Sequence, residues 1–259
     1  MLISMARRLG SGLARFLNRS TGVYEQFAVT PIGRLRAVLE PGDVLLIEGN
    51  TRISSVIKYV TQSTWSHAAV YLGNSAPCAP EISDGVLLEA DIEHGVVTVP
   101  LSKYVWHNTR ICRAIGLSEQ HRNRLLSILC SQIGHRYDLR NIFDLLRYFF
   151  PLMPVPERFR RRMFAFGSSD PTRAICSSMI AQAFQLLGYP ILPEHGPADG
   201  PHVLVKRHYT HFVPRDFDLS PYFRVVKPTL VLGFDYRKLI WRESADQTAR
   251  GPEIDERTQ

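Results

Sequence analysis

The sequence predicts an α+β fold, a small antiparallel sheet packed against helices, and three observations carry that prediction. Between residues 44 and 115 short apolar runs recur, each closed by a glycine, proline or asparagine turn. After residue 118 the apolar spacing lengthens from a strand period to the three-and-four period of helices. A chain of 259 residues with 45% hydrophobic content can also bury one substantial core without covalent staples.

The elements follow in order. Residues 1–19 carry Leu2, Met5, Leu9, Leu13, Phe16 and Leu17 at helical spacing among Arg7, Arg8, Arg15 and Arg19, a basic amphipathic helix weakened at Gly10 and Gly12. They form the core of an N-terminal extension, 1–39, read either as a terminal helix packed on the domain or as a segment suited to an anionic membrane surface. The folded domain is expected over 40–242. It opens with the turn Pro41-Gly42-Asp43, then the strand Val44 to Gly49. Ile53, Val56, Ile57 and Val60 give the segment 52–61 a helical stripe, and His67 to Leu72 is a second strand. Val86 to Ala90, Val96 to Val99 and Arg110 to Ile115 complete the sheet.

Helices come next. Ser118 is placed to cap a helix whose apolar face is Leu125, Leu126, Leu129 and Ile133. Residues 139–166 read as a helical, aromatic and basic insertion, broken by Pro151, Pro154 and Pro156. Ile175, Met179, Ile180, Ala183, Phe184 and Leu187 then mark a buried helix stopped by Gly188 and Pro190. An irregular connection over 190–201, an edge strand at Phe223 to Val226 and a disordered tail over 243–259 finish the chain.

Bulk properties narrow the function. The net charge of +7 and pI near 9.4 favour anionic neighbours, but the charge comes from 26 Arg and 5 Lys spread along the chain. No recognised nucleic-acid motif accompanies the basic stretch 158–164, so nucleic acid is not expected as a partner. Four cysteines without a C-x-x-C pair fit a reducing compartment. With no apolar h-region and no run of about 18 apolar residues, neither a signal peptide nor a transmembrane segment is expected. The chain reads as cytoplasmic, peripheral to a membrane at most.

Two residues carry the chemistry. Cys176 falls at the first turn of a helix, where the dipole and free N–H groups favour thiolate and can receive an oxyanion. His67 opens an apolar strand, a rigid support for an imidazole. A helix-start cysteine with a strand-start histidine is what thiolate–imidazolium catalysis requires. Glu89, at the end of the third strand, is the best local partner for the imidazole, ahead of Asp84, Asp91 and Glu93, which fall in turns.

These residues stand in a series of motifs: Pro41-Gly42-Asp43-Val44-Leu45-Leu46, Ile53-Ser54-Ser55-Val56-Ile57 and Trp65-Ser66-His67-Ala68-Ala69-Val70-Tyr71-Leu72-Gly73. Leu88-Glu89-Ala90, Pro100-Leu101-Ser102-Lys103-Tyr104, Tyr137-Asp138, Ile175-Cys176-Ser177-Ser178 and Pro214-Arg215-Asp216 continue it. The series resembles the YiiX/YebB-like, permuted branch of the NlpC/P60 papain-like superfamily over about residues 40–226. The resemblance implies a circularly permuted papain-like fold in which histidine precedes cysteine. It implies Cys176 as nucleophile, His67 as base and Glu89 as the third polar residue. It makes Ser177 a candidate for the oxyanion site, and Trp65, Tyr71 and Tyr137 candidates for substrate contact. No cofactor or metal is implied. The expected activity is cysteine-dependent hydrolysis of an amide, ester or thioester in an acyl- or peptide-type substrate, lipid-linked or from the cell envelope. Acyl transfer to a lipid is the alternative within the same fold, and a non-catalytic membrane-associated binding module is a further one. A metal site on His195, His202, His208 and His211 is the rival from another class, but their spacing fits no common zinc pattern.

Overall fold

In a computed structural model of the chain, the described residues are 19–20, 22, 29–73, 78, 85–91, 94–135, 175–195, 204–238 and 240. The basic helix of residues 1–19 (Arg19 apart), the insertion over 139–166 and the tail over 243–259 lie outside them. Helix α1 (Ile32–Val38) leads into β1 (Val44–Ile47), α2 (Arg52–Thr61) and β2 (His67–Tyr71). Strands β3 (Val86–Asp91), β4 (Gly95–Pro100) and β5 (Thr109–Ala114) follow, with a 3-10 turn at Leu101–Tyr104 between the last two. Then come α3 (Glu119–Cys130), α4 (Ile175–Leu186), the short strands β6 (Glu194–His195) and β7 (Leu204–Val205), α5 (Pro214–Leu219), β8 (Phe223–Val226) and α6 (Pro228–Val231).

The predicted strands join one six-stranded sheet in the order β4-β3-β2-β1-β5-β8, with every pairing antiparallel. β1 is central. It pairs with β2 from Val44 opposite Val70 to Ile47 opposite His67, so the register alone sets His67 at the end of the strand. All four β1 residues are buried, which fits an apolar run with no polar alternation. The sheet is covered on both sides. Val44, Leu46, Ala68, Val70 and Leu88 pack with Leu125, Leu129, Met179, Ile180 and Phe184 of α3 and α4. Leu45, Ile47, Ala69, Tyr71 and Leu87 pack with Leu35 and Val38 of α1 and with Leu101 and Tyr104. Each fully buried leucine on β1 contributes about 1.5–3 kcal/mol through the apolar area it removes from water.

Local chemistry sets the ends of the elements. Gly42 adopts φ +93° in a turn closed by Asp43 N–H donating to Glu40 O at 3.0 Å, a backbone that favours glycine. Asp43, 1% exposed, accepts from Glu40 N at 2.8 Å and from Arg113 of β5 at 2.8 and 2.7 Å, so the Gly-Asp motif clamps β5 to the start of β1. The Ser118 hydroxyl accepts from His121 N at 3.2 Å, the expected cap of α3. That helix ends at Cys130, and Ile133 lies outside it and is exposed, because the chain turns back to pair Gly134 and His135 with Val96.

One expectation from cysteine usage is corrected. Cys78 and Cys130 form a disulfide with Cα atoms 5.6 Å apart, across a sequence separation of 52. Cys78 lies against Cys130, the last residue of α3, a contact that spacing does not encode. A reading of the cysteines as reduced leaves this pair unexplained; Cys112 and Cys176 remain free thiols. Among the described residues no helix is long and apolar enough to cross a membrane.

Candidate active site

Cys176 is the second residue of α4, and His67 is the first of β2. The register of β2 on β1 holds the imidazole at the sheet end, and α4 lies across β2 and β3 with its first turn at the same end. The two side chains are hydrogen-bonded. His67 Nε2 lies 3.2 Å from Glu89 Oε2, which leaves Nδ1 for the sulfur. Glu89 is 1% exposed in β3, while 23% of the His67 side chain is open to solvent. The histidine is thus the accessible member of a chain that runs from a buried carboxylate to a thiol.

The charges reinforce one another. Burial pulls the His67 pKa down, but the Cys176 thiolate and the Glu89 carboxylate outweigh it and raise the imidazole to about 10. Burial pushes the Cys176 thiol up, but the His67 charge and hydrogen bond, with the backbone N–H groups of Ala68 and Ser177, bring it below the ordinary thiol value. Burial likewise pushes Glu89 up, yet the bond to His67 and the charge of Lys103 hold it at about 2. The resting state that this favours is thiolate, imidazolium and carboxylate in a line.

Two residues that the sequence did not single out for chemistry complete the arrangement. Lys103 Nζ donates to Glu89 Oε1 and Tyr104 Oη donates to Oε2. Both come from the 3-10 turn after β4, and the β3–β4 hairpin brings that turn back over Glu89. The Tyr104 ring lies 6.0 Å from the His67 ring and meets His107 edge-on at 5.4 Å. Burial and the Glu89 charge keep the Tyr104 phenol well above its ordinary pKa, so it acts as a donor. Lys103-Tyr104 stands within a family-like motif, but only the hairpin shows that both reach one carboxylate.

Three of the remaining candidates are placed by the structure as follows. Trp65 is 6% exposed, its Nε1–H donates to Asp218 Oδ2 at 3.1 Å, and Arg110 covers its ring at 5.0 Å while also binding Asp218. Tyr71 is also 6% exposed, and lies four residues from His67, about 13 Å along the strand at roughly 3.3 Å per residue. It packs in the core on the α1 side of the sheet rather than at the site. The Ser177 hydroxyl is fully buried and donates to Phe212 O at 2.7 Å, so its side chain is committed to the scaffold; its backbone N–H is the group that approaches the sulfur. Tyr137 and His202 lie outside the described residues. Among the described residues no group of three or more His, Cys, Asp or Glu side chains is placed to hold a metal.

Comparison with known proteins gives the following similarities. Residues 38–149 match the family described as permuted papain-like amidase enzyme, YaeF/YiiX, C92 family, a stretch that contains His67, Glu89, Lys103 and Tyr104, with Cys176 beyond it. Among solved structures, the chain is similar to the crystal structure of metalloprotein yiiX from Escherichia coli O157:H7, with 17% identity over 73% of this chain and 96% of that one and a TM-score of 0.45. No curated protein matches the chain. Over residues 38–149 the chain is thus similar to the YaeF/YiiX family of permuted papain-like amidases, an enzyme family, and its six-stranded antiparallel sheet with helices is an α+β fold.

Proposed function

We propose that this hydrolase works through an acyl-thioester on Cys176, cleaving an amide, ester or thioester of a lipid-linked or cell-envelope substrate. The observation that carries the proposal is the hydrogen-bonded series Cys176, His67 and Glu89, with the thiol acidified and the imidazole held protonated. The thiolate attacks the carbonyl carbon, and the C–O π pair moves onto oxygen. Backbone N–H groups at the first turn of α4, that of Ser177 among them, receive the oxyanion. Collapse of the tetrahedral intermediate breaks the bond to the amine, alcohol or thiol, which leaves with the proton from His67. Neutral His67 then takes a proton from water, hydroxide equivalent attacks the thioester, and the carboxylic acid departs as the thiolate returns. Glu89 stays ionised throughout and holds the ring in the tautomer that presents Nδ1 to sulfur.

The test is labelling with acyl-type electrophiles of graded chain length, read by intact mass and peptide mapping. A single adduct on Cys176, absent in Cys176→Ala and formed fastest with one chain length, is the expected result. An adduct elsewhere, or a Cys176→Ala variant with full turnover, would sink the mechanism. Trapping with an added amine separates water from a lipid acceptor in the second step.

A further inference from the structure

The exposed apolar side chains of the described residues are not scattered evenly. Six of them, Leu230, Val231, Leu232, Phe234, Tyr236 and Ile240, fall within the short stretch that follows the edge strand β8, and Ile240 is 91% exposed. Isolated exposed leucines need no explanation, but a contiguous set does. The stretch is built to show them. Pro228 starts α6, which ends after one turn, and the chain then passes through Gly233 at φ +87° into a 3-10 turn at Tyr236–Lys238, with no buried residue in either helical turn.

The charges around this patch are mostly positive. Arg224 and Lys227 precede it and are exposed, Arg237 and Lys238 lie within it, and Arg34 of α1 meets Leu232, Phe234 and Lys238 across an open cleft. Among the described residues of the stretch the acidic side chain is Asp235, 4.0 Å from Lys238. The Arg237 guanidinium sits 5.7 Å from the Tyr236 ring centroid, an aromatic body with a cation over it, as suits the depth of lipid headgroups. Apolar side chains that can enter the acyl boundary, ringed by cations that meet anionic headgroups, are the two requirements for binding in the membrane interface.

We infer that residues 224–238 and Ile240 form a docking surface for an anionic lipid bilayer. This surface is made of residues other than the basic segment 1–19 and does not depend on the reaction at Cys176. The patch follows β8, at the edge of the sheet, and α6 packs on α1, whose side of the sheet is opposite to that covered by α4.

The experiment is co-sedimentation of the full chain with mixed phosphatidylglycerol–phosphatidylcholine vesicles and with pure phosphatidylcholine vesicles. Two variants are compared: Phe234→Ser with Ile240→Ser, and Lys227→Glu with Arg237→Glu and Lys238→Glu. The native chain should bind the anionic vesicles and release them at high salt, and each variant should bind more weakly by about tenfold or more. The variants alter different exposed residues, so a folding defect in one leaves the other as the test. Undiminished binding by both would place membrane attachment elsewhere in the chain and overturn the inference. Failure of the native chain to bind would do the same: concentration-dependent dimerisation lost in Phe234→Ser would then assign the patch to a second copy, and a persistent monomer to cover by the chain's own remaining segments.

Discussion

Cys112 and Cys176 are both buried free thiols, one in the middle of β5 and one at the start of α4, and their acidities run in opposite directions. Burial pushes Cys112 far above the ordinary thiol range, with Asp218 adding to it and Arg110 unable to offset it. The same burial acts on Cys176, but His67 and two N–H groups overturn it. Burial therefore does not decide whether a cysteine is inert or reactive; the charge it faces does. The carboxylates repeat the lesson. Asp43 and Glu89 are equally buried, but burial still wins at Asp43 despite Arg113, whereas His67 and Lys103 win at Glu89. Every oxygen of Asp43 is committed to scaffold donors, while the Glu89 network ends on a histidine that meets solvent.

The contrast between the thiols can be broken by mutation, and the largest effect is expected at the sulfur. Cys176→Ala should remove turnover by at least about four orders of magnitude, since nothing else forms the thioester. Thermal melting should stay close to that of the native chain. His67→Ala should cost about 10²–10⁴ in kcat/KM. It should also move the pH midpoint of Cys176 alkylation up toward that of an ordinary thiol, making the two cysteines alike; an unmoved midpoint would show that the helix start alone acidifies the sulfur.

Smaller changes sharpen the same comparison. The ion pair exists only above the Cys176 pKa and below that of His67, so activity should rise as the thiol ionises, below the usual thiol range, and fall as pH passes about 10. Glu89→Gln removes a negative charge that sustains the imidazolium, so the falling limb should move to lower pH and kcat/KM should drop by about tenfold or more. Lys103→Met takes away a cation that competes for Glu89, and the falling limb should move to higher pH with only a few-fold loss in kcat. A variant that lost activity without this shift would mark Lys103 as scaffold alone. Cys112→Ala should leave kinetics and labelling unchanged and cost about 1 kcal/mol in stability, for one small buried group removed from the core.

Much of the site is legible in the amino-acid sequence. His67 stands before an apolar strand, Glu89 closes another and Cys176 begins a helical stripe, and each of those signals is local. The fold class, the predicted strands of the sheet and the cap at Ser118 are readable for the same reason. The burial of Trp65 and Tyr71 is not legible in the sequence, because a strand pattern states that faces alternate without stating what covers each face. The partner that commits Trp65, Asp218, lies 153 residues away.

The amino-acid sequence by itself determined the periodicities, the turns and the order of histidine before cysteine, because these depend on residues within a few positions of one another. Tertiary structure alone decided which groups share a low-dielectric space. The three donors on Glu89, the opposite acidities of Cys112 and Cys176 and the disulfide from Cys78 to Cys130 all arise between residues that the chain brings together from a distance. Electrostatic energy follows separation in space and burial, and separation along the chain does not encode either.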